Sequence, residues 1–281
     1  MIPLFPFFVM CQNSNKKAEI ALVFPADTIP MQYNYHRPSF YLPILDGVVN
    51  DSLHIKVFFD TGTSGNKFSI SDSLKYFFDS DSAFVQIGKI KKQMNIQYFR
   101  SNERNFSDIF GKNTILVGWK FFENKIVEFD FQNQRILVYN ELPNVTEYSK
   151  VKIIHGNPPG NFAILIPAQV ALQGKIIQDT FNIDTGCNSY MVLSEKHIKE
   201  QGIDTTNARY GKPKVGGSGL SAFSIPMDTF KIGDLSAANQ NMRITFSNYN
   251  GRGLLGTLTM QNFSVILDLI NYDLYLKKIN N

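Results

Sequence analysis

The tripeptide Asp60-Thr61-Gly62 recurs as Asp184-Thr185-Gly186, each time after an apolar run that ends in Phe58-Phe59 or in Ile183. Two carboxyl groups brought within hydrogen-bond distance cannot both ionise cheaply, so they share one proton. Such a pair holds a base and an acid at once. The ionised member takes a proton from a bound water while the protonated member donates to a carbonyl oxygen under attack. The chemistry this allows is hydrolysis of an amide through a tetrahedral intermediate, with neither a covalent adduct nor a metal. The titration belongs to the pair, so the sequence does not say which aspartate holds the proton.

The residues after each aspartate fit that scheme. Glycine at Gly62 and Gly186 permits a tight turn and lets its backbone approach the neighbouring carboxylate. The hydroxyls of Thr61 and Thr185 are placed to bond across a pseudo-twofold axis to the opposite turn. Thr63 is expected to donate a hydrogen bond to Asp60, and Cys187, at the matching place, to do so only weakly.

One Asp-Thr-Gly means little by itself; two in matching surroundings mean more. Leu116-Val117-Gly118 follows the first copy and Leu254-Leu255-Gly256 the second. From Gly118 to Asp130 is 12 residues, as it is from Gly256 to Asp268, and Asn133 and Asn271 each lie three further on. Phe40 precedes Asp60 by 20 residues and Phe162 precedes Asp184 by 22, and Ile87-Gly88 and Ile232-Gly233 sit between the landmarks. A tandem duplication of a unit of roughly 120 residues exceeds the period of solenoids and blades, so it predicts two lobes.

Those lobes must position the dyad, and strand signals dominate them. Ile55-Lys56-Val57-Phe58-Phe59, Ile126-Val127-Glu128-Phe129 and Ile136-Leu137-Val138-Tyr139 are short, β-branched or aromatic, and bounded by turn residues. The stretches 130–135 and 268–273 look like hairpin connections, with Asp130 and Asp268 capping the turns. Helical segments are few: 194–201, with Ser194 as N-cap and Gly202 as stop, and about one and a half turns at 119–124 and 257–262. Residues 18–150 and 151–281 are read as the two lobes, joined through a breaker-rich connection from Leu142 to Gly160.

Composition narrows the function classes. A chain of 281 residues with 43% hydrophobic and 19% charged residues is globular and long enough for two cores. Its net charge of +4 is scattered, and the pairs Lys16-Lys17, Lys91-Lys92 and Lys277-Lys278 read as solvated surface, so no nucleic-acid partner is expected. Two cysteines without Cys-x-x-Cys spacing, and the scattered His36, His54, His155 and His197, give no zinc pattern. No metal and no cofactor are expected. Residues 1–17 open with an apolar stretch containing Phe5, Phe7, Phe8 and Val9, then Cys11 and a polar run. This is read as a signal segment with Cys11 as lipid-attachment site, and hence an extracytoplasmic, membrane-anchored location. The absent positive n-region and the bulky Met10 count against that reading.

On Asp60-Thr61-Gly62, Asp184-Thr185-Gly186, Leu116-Val117-Gly118 and Leu254-Leu255-Gly256, residues 38–281 resemble the aspartic peptidases, and within them the retropepsin-like bacterial proteins. The resemblance implies an all-β chain of two similar β-barrel lobes, with the dyad at their interface and a cleft for a peptide or protein substrate. The apolar-apolar-Gly segments would pass beneath the catalytic loops and brace them. One chain carries both halves, as in the pepsins, so it is expected to act as a monomer. From Asp184 to Ile232 there are 48 residues, against 27 from Asp60 to Ile87. The extra length holds Gly216, Gly217, Ser218 and Gly219, which resemble the family's flap over the substrate, with Tyr210 nearby. A single flap is expected, from the second lobe, whereas pepsins take theirs from the first.

Two other classes compete. Actin-like ATPases also carry duplicated Asp-x-Gly loops, but they need long helices alternating with strands, which this sequence lacks. A non-catalytic peptide-binding protein on the same fold would retain the cleft without turnover.

Overall fold

The computed structural model describes residues 22–33, 41–68, 82–95, 97–98, 110–111, 113–155, 164–211, 222–238, 242–247 and 252–279. The segment around Cys11, Phe40, Phe162 and the glycines at 216, 217 and 219 with Ser218 lie outside them. The described chain is mostly strand. Its helices are short: a 3-10 turn at Trp119–Phe122 and α-helices at Lys196–Gln201 and Thr257–Met260.

Each aspartate ends a strand whose burial changes along its length. Leu53–Asp60 begins with alternating exposure and becomes buried on both faces from Val57 to Phe59; Lys175–Asp184 does the same from Phe181 to Ile183. The change comes where a second strand joins. Thr114–Gly118 runs parallel to 56–60, and Gly253–Gly256 runs parallel to 181–184. A strand paired on both edges and covered on both faces needs an apolar run, and both sequences supply one, broken only by Asn182 in the second.

The strands form two sheets. In one, the order is 149–152, 273–278, 263–268, 126–130, 135–139, 27–33, 43–49, 53–60, 114–118, 66–68 and 97–98; strand 82–87 pairs with 43–49 and with 90–95. In the other, it is 209–211, 222–226, 243–247, 191–194, 253–256, 175–184, 164–172, 229–232 and 235–237, with 154–155 on 164–172. The all-β expectation holds. Neither sheet closes on itself among the described residues, so the closed barrels expected for the lobes are not seen.

The hairpin Phe263–Lys278 belongs to the second half of the sequence yet sits in the sheet of the first. It pairs with Ile126–Asp130 in the register Val265↔Phe129, Ile266↔Glu128, Leu267↔Val127 and Asp268↔Ile126. The duplication relates Gly118 to Gly256 and Asp130 to Asp268, an offset of 256 − 118 = 138. Applied to this ladder, the offset turns Val265↔Phe129 into Leu267↔Val127 and maps Ile266↔Glu128 onto itself. The junction is therefore self-complementary, as an isologous dimer interface is, but within one chain.

Alternation then buries both faces of this junction. Val127, Phe129, Val265 and Leu267 face a core that continues through both halves, from Ile29 and Val57 to Phe181 and Phe246. Ile126, Leu137, Tyr139, Ile266 and Tyr275 face the other way, under Val23, Leu142, Val145 and Tyr148. The connection after Tyr139 thus packs as a cover. Strand Ser149–Lys152 is fixed at the outer edge, where Lys150 and Lys152 reach the buried Asp273 at 2.8 and 3.1 Å.

Asp130 and Asp268 cap matching turns. Asn133 donates its backbone N–H to Asp130 Oδ1 at 3.1 Å and Asn271 donates to Asp268 Oδ1 at 2.8 Å. The helices expected at 119–124 and 257–262 end at Phe122 and Met260, and the start of the third differs from the sequence reading. Ser194 is the last residue of strand Met191–Ser194, and the helix starts at Lys196 with Glu195 at the N-cap. The buried Met191, Val192 and Leu193 pair with 244–246 and carry Ser194 into the sheet opposite Ser247. Gly202 does stop that helix, at φ 57° and ψ 47°.

Candidate active site

The apolar-apolar-Gly segments hold the two Asp-Thr-Gly turns from one side in the same register. Asp60 lies opposite Gly118 and Asp184 opposite Gly256. Close approach explains both glycines: a Cβ on Gly118 would fall 2.5 Å from the Thr63 carbonyl oxygen, and one on Gly256 2.2 Å from that of Ser189. The next N–H groups complete the brace, Trp119 donating to Thr63 O at 3.0 Å and Thr257 to Cys187 O at 2.9 Å.

Across the interface the turns grip each other. Thr61 N–H donates to Thr185 Oγ1 at 2.9 Å, and Thr185 N–H donates to Thr61 Oγ1 at 3.0 Å. Each hydroxyl in turn donates to the strand beyond, Thr61 to Ile183 O at 2.8 Å and Thr185 to Phe59 O at 2.7 Å. Both threonines are fully buried. These four bonds use the hydroxyl as donor and acceptor together, which serine or threonine can do and valine cannot.

This lock brings Asp60 and Asp184 into hydrogen-bond contact with each other. Within each turn the glycine N–H donates to its own aspartate: Gly62 to Asp60 Oδ1 and Gly186 to Asp184 Oδ1, both at 2.8 Å. Each glycine also lies against the opposite carboxyl. A Cβ on Gly62 would sit 2.5 Å from Asp184 Oδ1, and one on Gly186 would sit 2.8 Å from Asp60 Cγ and both oxygens. Glycine is required here for space.

The Asp184 carboxyl is pushed well above its usual range, first by burial, then by the Asp60 charge and the hydrogen bond to Asp60. The N–H groups of Gly186 and Cys187 oppose that rise. Both aspartates keep part of their surface open, but the surrounding protein is dense enough to penalise charge. The arrangement favours one proton on the pair.

The flanking residues are unequal. Thr63 Oγ1 accepts the Gly65 N–H at 3.2 Å. Cys187 is buried, its thiol bonds to Ser189, and burial followed by the Asp184 charge pushes its pKa up, so the thiol stays protonated. Cys187 therefore reaches Asp184 through its backbone N–H. Tyr41 N–H donates to Asn188 Oδ1 at 2.9 Å, a further link between the halves. Strands Arg209–Gly211 and Ala222–Pro226, which flank the flap candidate, pair antiparallel, with Tyr210 opposite Phe223 and 76% exposed. Among the described residues no group of three or more His, Cys, Asp or Glu is placed to hold a metal ion.

One residue beside the dyad escaped the sequence reading. Asn182 is 8% exposed, and its Nδ2 donates to Gly62 O, in the opposite turn, at 3.3 Å. Its signal was an amide in Phe181-Asn182-Ile183, where the first copy has only apolar residues. No protein-family model and no curated protein matches the chain, so the reading of this site rests on its own geometry.

Proposed function

We propose that this chain is an aspartic-type endopeptidase in which Asp60 and Asp184 activate water against a peptide bond. The observation that carries the reading is the partly buried, hydrogen-bonded carboxyl pair at the junction of two duplicated turns. The ionised member takes a proton from water as the oxygen attacks the peptide carbonyl carbon. The protonated member donates to the carbonyl oxygen, giving a tetrahedral diol. Collapse of the diol breaks the C–N bond, with a proton passing to the departing amine.

The remaining residues position this pair. Thr61 and Thr185 fix the separation of the turns, and Gly62 and Gly186 let the carboxyls approach. Resemblance to retropepsin-like peptidases supports a cleft between two barrel-like lobes, a single flap carried between 211 and 222, and action as a monomer. A lipid anchor at Cys11 and an extracytoplasmic location complete the proposal.

Incubation of an unstructured protein with wild type, Asp60→Asn and Asp184→Asn, from acidic to neutral pH, tests it. Mass spectrometry is expected to find new termini with wild type alone. Substantial turnover by either variant refutes the dyad mechanism, and peptide binding without new termini at any pH identifies a binding protein instead.

A further inference from the structure

Residues two apart on a strand face the same way, so Phe58 stands beside Asp60 and Asn182 beside Asp184. Their cross-strand neighbours form two matching rows. Ile44, Phe58 and Leu116 lie across three strands of one sheet, and Leu165, Asn182 and Leu254 across three strands of the other. The first row is apolar throughout. Phe58 stacks on Phe110 with ring centroids 4.2 Å apart, within a cluster that includes Leu42, Ile44 and Leu116. The second row is polar at one position only, where an amide replaces the phenyl ring.

That amide is half-satisfied. The Gly62 carbonyl can only accept, so the Asn182 atom facing it is the NH2 group, and the atom left over is the carbonyl oxygen. Asn182 Oδ1 is buried and has no hydrogen-bond partner. Buried acceptors are nearly always paired, and an unpaired one is costly enough to call for a reason. Leucine or phenylalanine, as in the first row, would avoid the cost.

We propose that Asn182 makes the Asp184 side of the dyad a hydrogen-bond-accepting subsite, filled by a substrate side chain that carries an N–H or O–H donor, while the Phe58 side takes an apolar residue. The proposal rests on the peptidase reading and adds an asymmetry to it. The preferred substrate is a peptide with an amide or hydroxyl side chain on one side of the scissile bond and an aliphatic or aromatic side chain on the other.

The test uses peptides that differ only by Asn or Leu, residues of similar shape, at the position before or after the scissile bond. Each is made also in a form with a reduced, uncleavable bond. Wild type is expected to prefer Asn over Leu by about tenfold at one of the two positions and Leu at the other, in kcat/KM and in the Kd of the uncleavable forms. Asn182→Leu is expected to remove the preference for Asn and leave the opposite position unchanged. The wild-type profile alone decides the matter if that variant does not fold. Turnover with the same preference on both sides, or a profile that Asn182→Leu leaves intact, overturns the proposal. A one-sided preference in Kd without turnover sustains it and overturns the peptidase reading, and neither turnover nor preference overturns both.

Discussion

Replacing Gly62 by alanine puts a methyl group against the opposite carboxyl, and the structure sets the size of the disturbance. The new Cβ would lie 2.5 Å from Asp184 Oδ1, whereas ordinary contact begins at 3.4 Å, so the groups must separate by 3.4 − 2.5 = 0.9 Å. The mirror change, Gly186→Ala, needs 3.4 − 2.8 = 0.6 Å against Asp60. The two carboxyls are in hydrogen-bond contact, and misplacement of reacting groups by about 1 Å costs on the order of 100-fold in rate. Gly62→Ala is therefore expected to lower kcat/KM by about 100-fold, about 2.7 kcal/mol of transition-state stabilisation. Gly186→Ala is expected to cost less, about tenfold. Gly65→Ala is the control from the same loop, since its Cβ meets only Thr63 Oγ1 at 3.9 Å. The assay is initial-rate cleavage of an unstructured peptide, with urea unfolding to show that each variant is folded. A folded Gly62→Ala variant within about twofold of wild type, or a Gly65→Ala variant equally impaired, refutes the crowding argument.

Thr61→Val keeps the shape of the side chain but leaves the Thr185 N–H and the Ile183 carbonyl unpaired in a buried place. At about 1–3 kcal/mol for each orphaned group, urea unfolding should show a loss near 3 kcal/mol, and Thr61→Ser should recover most of it. The raised Asp184 pKa means that the folded state binds this proton more tightly than the unfolded chain does. Its contribution to stability is thus largest below the ordinary carboxyl range and declines as pH rises through the raised value. Asp184→Asn should flatten that decline and be at least as stable as wild type at neutral pH. Thermal melts across the acid-to-neutral range check this, and a variant whose stability falls as wild type's does contradicts it.

The parts visible in the sequence are those written in short, local patterns. Asp-Thr-Gly after an apolar run, and apolar-apolar-Gly further on, recur because each pair is a parallel two-strand unit that needs buried residues on both faces and glycine at the crossing. Asp130 and Asp268 with their asparagines are equally local, since a capped turn lies within a few residues. Partners far along the chain were hidden. Nothing near Phe263 says that its hairpin joins strands 126–139, because the partner's identity is not part of a strand's own alternation. Ser194 has the chemistry of a helix cap, but the pairing of 191–194 with 244–247 outweighs that preference. Asn182 was passed over because one polar residue hardly disturbs an apolar run, and its significance comes only from the turn it touches across the interface.

The self-complementary ladder also sets an order of events during folding. Joining Phe129 to Val265 closes a segment of 265 − 129 = 136 residues, a contact far slower to find than either local hairpin. While the chain is being made, the edge of strand 126–130 waits unpaired until residues 263–268 emerge. By then both Asp-Thr-Gly turns have long been synthesised, yet the junction beneath them is incomplete. The second hairpin is thus the last part to dock, and a shorter nascent chain carries both aspartates and both lock threonines without the ladder that joins 263–268 to 126–130.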